Sequence, residues 1–194
     1  MAAPTVLIMG PPGAGKGTQA AHLVERYALR HVATGDMLRE AIANGTPLGL
    51  EAKRYMDAGE YVPDEVTNNM VRSRIAEPDA ASGFLLDGYP RTLAQVTELD
   101  AMIAETGHQL DAVLVLAVDQ EALLGRLLKR AEIEGRPDDT EDVIRRRLEV
   151  YAAETEPLIS VYDGRGLVVS VDGMGEVAEV QQRIFKALDD IPES

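Results

Sequence analysis

The sequence predicts an α/β protein, a five-stranded parallel sheet flanked by helices. Its strongest apolar runs are short and near-continuous rather than alternating, the pattern of parallel strands covered on both faces. Stretches with helical spacing of apolar residues lie between those runs, and strands alternating with helices build a parallel sheet. A glycine-rich turn directly follows the first run. Sheets of this class hold ligands at the carboxyl ends of their strands.

The first strand is Thr5-Val6-Leu7-Ile8-Met9. It feeds Gly10-Pro11-Pro12-Gly13-Ala14-Gly15-Lys16-Gly17-Thr18, a turn that opens a helix. A weaker strand follows near 30–33. Residues 35–75 then form a long helical interruption, broken at Asn44-Gly45-Thr46-Pro47 and between Gly59 and Pro63. Further strands are read at 83–87, 112–118 and 166–172. In 141–152, Ile144, Leu148 and Tyr151 form one helical stripe while Glu141, Arg145 and Glu149 line another face. In 176–188, Val177, Val180, Ile184 and Leu188 repeat at helical spacing. Residues 131–139 make a short polar excursion, and the tail from Asp189 to Ser194 is expected to fray.

At 194 residues the chain supports one sizeable core with small mobile pieces attached. It has no apolar run long enough for a membrane span and begins without the pattern of a secretion signal. It has no cysteine, so disulfides and thiolate metal sites are excluded. The net charge of −14 disfavours nucleic acid and anionic membranes as partners. Cations nevertheless concentrate: Arg126, Lys129, Arg130, Arg136, Arg145, Arg146 and Arg147 fall within 22 residues. Taken alone, such a run reads as a solvated helix face.

Residues 10–18 have the context of a phosphate-binding loop. Glycines let backbone N–H groups converge on an anion, the helix N-terminus adds a positive dipole end, and Lys16 supplies a point charge. The general motif has Ser or Thr directly after the lysine; here Gly17 stands there and Thr18 follows. A second group is Gly83-Phe84-Leu85-Leu86-Asp87-Gly88-Tyr89-Pro90-Arg91. Asp87 closes a strand, where a carboxylate would hold magnesium through water beside the loop, and the following turn presents Arg91. A third is Thr34-Gly35-Asp36-Met37-Leu38-Arg39, in which Thr34 or Asp36 also suits a helix cap. Lys16, Arg39, Arg91, Arg130, Arg136 and Arg147 exceed what one triphosphate needs, which suggests two phosphate-bearing substrates head to head. An acceptor phosphate is already ionised and needs positioning rather than a general base. His22, His31 and His108 are accordingly read as surface or packing residues.

These motifs, with Gly-Arg-Pro-Asp-Asp (135–139), Arg-Arg-Arg-Leu (145–148) and Val-Asp-Gly (171–173), resemble adenylate kinase over essentially the whole chain. In that family Gly follows the lysine and Thr comes next, so Gly17 becomes an identifier. The resemblance implies a phosphate-loop nucleoside monophosphate kinase of a single domain. Its core would be 1–34, 76–129 and 139–194, its helical monophosphate cover 35–75, and its short lid 130–138. The implied reaction is reversible transfer from ATP to AMP with magnesium, giving two ADP. Gly13, Ala14, Gly15, Lys16, Gly17, Thr18, Arg130 and Gly175 would bind ATP. Thr34, Arg39, Glu60, Tyr61, Val62, Gly88, Tyr89, Pro90, Arg91, Gln95, Arg136 and Arg147 would bind AMP. Lys16, Arg91, Arg130, Arg136 and Arg147 would act on the transferred group. Asp138 and Asp139 match a lid pair that holds the closed form. The short, cysteine-free lid implies no zinc, and the family implies a cytoplasmic monomer without nucleic-acid or membrane partners. A pyrimidine (UMP or CMP) kinase of the same fold is the alternative, with Thr34 and Gln95 favouring adenine. A phosphate-loop switch is a third reading, opposed by the absence of an Asn-Lys-x-Asp segment and by the surplus of arginines.

Overall fold

The computed structural model describes residues 3–136 and 139–191. Five parallel strands, β1 (Val6–Met9), β2 (Arg30–Ala33), β3 (Phe84–Asp87), β4 (Ala112–Ala117) and β5 (Val168–Asp172), stand in the order β2-β3-β1-β4-β5. Successive side chains of a strand point to opposite faces, and β1 divides accordingly. Leu7 and Met9 join Val32, Phe84, Leu86, Val113 and Val115 in one core. That face is covered by α4 (Asp64–Ile75), α5 (Leu93–Thr106) and α8 (Glu156–Asp163), through Val71, Ile75, Leu99, Met102, Leu158 and Tyr162. Val6 and Ile8 join Leu85, Leu114, Leu116 and Val171 in the other, under α1 (Lys16–Tyr27) and α9 (Val177–Asp189). Both faces are therefore sealed over the central strands β1, β3 and β4, which is why those strands lack polar alternation.

Strand β1 leads through α1 to β2 on one side, and β3 leads through α5 to β4 on the other. The direction of travel reverses around β1, leaving a crevice at its carboxyl end. Register aligns Ile8 with Asp87 and Asp87 with Ala33, so the loops after β1, β2 and β3 open side by side.

Residues 34–75 form α2 (Thr34–Ala43), α3 (Pro47–Asp57) and α4. Leu38, Ala52 and Val62, with Tyr55, Met56, Val66 and Met70 against them, make a small core of their own. Thr46 caps α3 through Gly49 N–H, with Pro47 opening the helix. Helix α6 (Gln120–Glu134) runs further than the sequence pattern indicated. Residues 131–134 are its last turn, and the polar excursion begins only at Gly135, whose left-handed backbone ends the helix.

Helix α7 (Glu141–Val150) passes into a π turn over Tyr151–Thr155 before α8. Pro157 has no N–H to give to Ala153, and its ring crowds that carbonyl, so the ladder is broken where the π turn stands. At the carboxyl end, Asp189 is tied down rather than frayed: its carboxylate takes Arg26 at 2.5 Å and Tyr27 O–H at 2.7 Å. Residues 192–194 of the expected frayed tail lie outside the described residues.

Candidate active site

The loop after β1 wraps the N-terminus of α1. Gly13 and Gly15 have φ of 86° and 92°, the left-handed region that glycine enters without strain. Gly13 also sits where a Cβ would meet Leu127 Cγ at 2.9 Å, so the loop packs closely on α6. The first turn of α1 carries no acidic side chain, leaving its dipole end open to an anion. Lys16 Nζ donates to the carbonyls of Gly10 (2.9 Å) and Pro11 (3.3 Å). Burial pushes its pKa down to about 8; Asp87 counters this, while Arg91, Arg147 and Arg130 add to it.

Asp87 ends β3 at the floor of the same crevice. Burial works to raise its pKa, but the contact with His31, then the charges of Lys16 and Arg91, outweigh it and hold the carboxyl below its ordinary value. His31 Nε2 lies 3.3 Å from Asp87 Oδ2. The sequence reading treated His31 as a surface or packing residue, yet it stands beside this partly buried carboxylate. Its nearness follows from the pairing of β2 with β3, a long-range fact that no local spacing reveals. Neither Thr34 nor Asp36 caps α2: Ala33 stands at the cap position without a side-chain bond. Thr34 instead donates to Gly88 O at 2.9 Å, and Asp36 pairs with Arg39 at 2.8 Å.

The turn after β3 is tightly constrained. Gly88 has φ 82°, and a Cβ there would meet Thr34 Oγ1 at 2.8 Å and an Arg91 guanidinium nitrogen at 2.9 Å. The Tyr89–Pro90 peptide is cis. Arg91 Nε donates to Gly88 O, and Arg91 N–H donates to Gln95 Oε1, both at 2.7 Å. Gln95 is fully buried and its Nε2 donates to Asp64. The Gln95 amide thus holds the turn that carries Arg91.

On the far side, Asp139 is completely buried between two arginines. Its Oδ2 accepts from Arg130 Nε (3.1 Å) and a terminal nitrogen (2.8 Å), and its Oδ1 accepts from Arg147 at 2.5 Å. This carboxylate aims both guanidinium groups at the crevice. Asp138, the other half of the expected pair, lies outside the described residues.

Two cavities meet across this arrangement. One, of about 840 Å³, is lined by residues 13–19, Asp87, Arg126, Lys129, Arg136 and Gly175. The other, of about 120 Å³, is lined by Thr34, Glu60, Tyr61, Val62, Tyr89, Pro90 and Gln95. Lys16, Arg39, Arg91, Arg130 and Arg147 line both, as do Gly35 and Gly88. Five cations therefore form the partition between the two. Arg136 lines the larger cavity and pairs with Glu134. Arg145 and Arg146 leave the cluster altogether, binding Glu141 and Glu60 at the surface. Among the described residues, no group of three or more His, Asp or Glu side chains is placed to hold a metal.

A glycine-rich loop, a partly buried strand-end carboxylate and five cations shared by two cavities thus stand together at the carboxyl end of the sheet. The family model for adenylate kinase matches residues 8–167. The chain belongs to the adenylate kinase family. It is 66% identical over 189 residues to an adenylate kinase of a Nocardioides species, spanning 97% of this chain and 99% of that one. It is 55% identical to an adenylate kinase of Micrococcus luteus over 94% of this chain and 89% of the relative. An adenylate kinase of Thermobifida fusca is 52% identical over 94% and 97% of the two chains. The adenylate kinase fold accounts for the all-parallel sheet and its phosphate loop, and the chain is an enzyme of that family. No helix among the described residues is long and apolar enough to cross a membrane.

Proposed function

We propose that the protein reversibly transfers the terminal phosphoryl group of ATP to AMP, giving two ADP, and so balances the adenine nucleotides. The observation that carries this is the partition of Lys16, Arg39, Arg91, Arg130 and Arg147 shared by two cavities. ATP would lie in the larger one, its phosphates on Gly13, Ala14, Gly15, Lys16, Gly17 and Thr18, with Arg130 above and its adenine near Gly175. AMP would lie in the smaller one, against Thr34, Glu60, Tyr61, Val62, Gly88, Tyr89, Pro90 and Gln95, with its phosphate facing Arg39, Arg91 and Arg147. Arg136 would approach from the donor side.

An ionised oxygen of the AMP phosphate forms a bond to the terminal phosphorus as the bridge to the second phosphate breaks. No proton is transferred, so no general base is required. Two anions must instead be held in line against their repulsion, and fixed cations in a shielded site do this without reorganisation. Lys16, Arg91, Arg130, Arg136 and Arg147 are the groups proposed for that role.

Magnesium fits the site. Asp87 is kept ionised, faces the larger cavity and stands beside the phosphate loop. Its carboxylate would hold the ion through water, since Thr18 stands one place beyond the usual hydroxyl ligand. When bound, the ion would neutralise charge on the triphosphate oxygens. Action as a monomer in the cytoplasm goes with this reading.

A steady-state assay of ATP with AMP, UMP, CMP and GMP, with magnesium omitted and restored, tests the proposal. AMP should be the preferred acceptor and turnover should require magnesium. A UMP or CMP rate above that of AMP would reject the assignment of the acceptor.

A further inference from the structure

The π turn after α7 places Thr155 behind the partition. Its side chain is buried, at 4% exposure. Its hydroxyl donates to the main-chain carbonyl of Arg91 at 2.8 Å and lies 2.5 Å from the Tyr61 hydroxyl. A hydroxyl has one proton, and the Arg91 carbonyl can only accept. The Thr155 proton is therefore spent on Arg91, and Tyr61 must donate to Thr155. The order is Tyr61 O–H to Thr155 Oγ1, then Thr155 O–H to Arg91 C=O. Burial, foremost, raises the Tyr61 pKa and keeps its donor proton in place.

The same Tyr61 ring lies 5.2 Å from the Arg91 guanidinium carbon, within cation–π range. Arg91 is thus held at four points. Gln95 takes its N–H and Gly88 its Nε, while Thr155 takes its carbonyl and the Tyr61 ring flanks its charge. Two of the four run through Thr155. Two further contacts clasp the same segment to α7: Glu60 pairs with Arg146 at 2.7 Å, and a Cβ at Gly59 would meet Val143 O at 2.8 Å.

We propose that Thr155 is a positioning residue for phosphoryl transfer, fixing Arg91 and Tyr61 together through one hydroxyl. π turns inside helices recur at functional sites, and this one turns Thr155 inward at the junction of three segments. This inference rests on the reading of Arg91 as a group on the transferred phosphoryl. Misplacing such a charge by a fraction of an ångström lowers turnover far more than donor binding.

Thr155→Val keeps the shape and removes the hydroxyl. It should lower kcat by about tenfold while the KM for ATP moves less than about twofold. Thr155→Ser restores the hydroxyl and should recover most of kcat. Tyr61→Phe keeps the ring and loses the donor; it should lower kcat by about threefold, and adding it to Thr155→Val should cost little more. A folded Thr155→Val protein with wild-type kcat, or losses that multiply in the double variant, would overturn the inference. Should Thr155→Val fail to fold, Tyr61→Phe decides alone: unchanged kcat overturns it, and a fall with unmoved KM for ATP supports it. Wild type and Arg91→Ala are run beside them. Arg91→Ala should lose at least about a hundredfold. Full activity there, or no transfer to AMP by wild type, removes the parent reading as well, whereas a normal Thr155→Val beside an inactive Arg91→Ala removes this inference alone.

Discussion

Lys16 reaches back from the first turn of α1 to the carbonyls of Gly10 and Pro11, a half-buried ammonium among arginines with Asp87 as its anionic counterweight. Burial leaves it titrating near 8, so at that pH the free protein carries it only partly protonated. Phosphate oxygens arriving beside it favour the charged form and raise its pKa. Binding of ATP at pH 8 to 9 should therefore take up a proton, by as much as about half of one near pH 8. The ATP phosphates are already fully ionised there and do not compete. Calorimetry in buffers of different ionisation enthalpy reads this uptake directly. It should fade below pH 7, where Lys16 is protonated before binding, and vanish in Lys16→Met. Since the folded pKa lies below the unfolded one, Lys16 also makes the fold more stable as pH rises from about 8 toward 10.5. No uptake in wild type at pH 8 would mean that Lys16 does not meet the phosphates.

Gly17 distinguishes what α1 needs as a helix from what the loop needs as a cradle. Beyond its chain neighbours and the backbone of its own helix, nothing lies within 4 Å of where its Cβ would be, and the position faces the larger cavity. Glycine in a helix costs up to about 1 kcal/mol relative to alanine, less in a first turn. Gly17→Ala should therefore raise Tm, by at most the roughly 2–4 °C that about 1 kcal/mol produces in a chain of this size. The same methyl would stand in the space assigned to phosphate, and kcat/KM for ATP should fall by about tenfold or more. A fall in Tm, or an unchanged kcat/KM, would count against this account. Elements of this kind were legible because their signals are local. The apolar runs of β1, β3 and β4 announce buried strands, and a lysine in a glycine turn announces a phosphate loop. Strand β2 was faint because it is an edge, with Arg30 exposed and Asp79 holding its guanidinium. What escaped the reading is long-range. Nothing near Thr155 in the chain indicates that its hydroxyl spans Tyr61 and Arg91, and His31 meets Asp87 only through strand pairing. The run of seven cations likewise divides only in three dimensions, into those aimed at the crevice and those, such as Arg145, held outside it.

At the scale of the whole molecule, the two cavities differ in a way that demands motion. The larger, about 840 Å³, falls within the range of about 300–1,000 Å³ typical of small-molecule sites; the smaller, about 120 Å³, does not. For AMP to be seated there, helices α2 and α3 must stand further from the sheet than they do here, while Val71 and Ile75 keep α4 on it. The small core of Leu38, Ala52 and Val62 joins α2 to α3 and is separate from the core over the sheet, so these two helices can move as a unit. The ties at residues 59–61 to α7 and the π turn would give such a unit its pivot, near the arginines it closes upon. Closure would then exclude water, so that phosphate passes to AMP and not to solvent. The absence of cysteine makes this measurable, because two introduced thiols take labels without competition. Glu51→Cys on α3 and Gln182→Cys on α9 are exposed positions on the two bodies. Their distance distribution should be broad and extend to long values in the free protein. It should narrow to the short end with a two-headed inhibitor of two adenosines joined by five phosphates, and ATP alone should narrow it far less. A distribution already narrow and unmoved by the inhibitor would mean that the helices do not open, and that AMP is seated elsewhere.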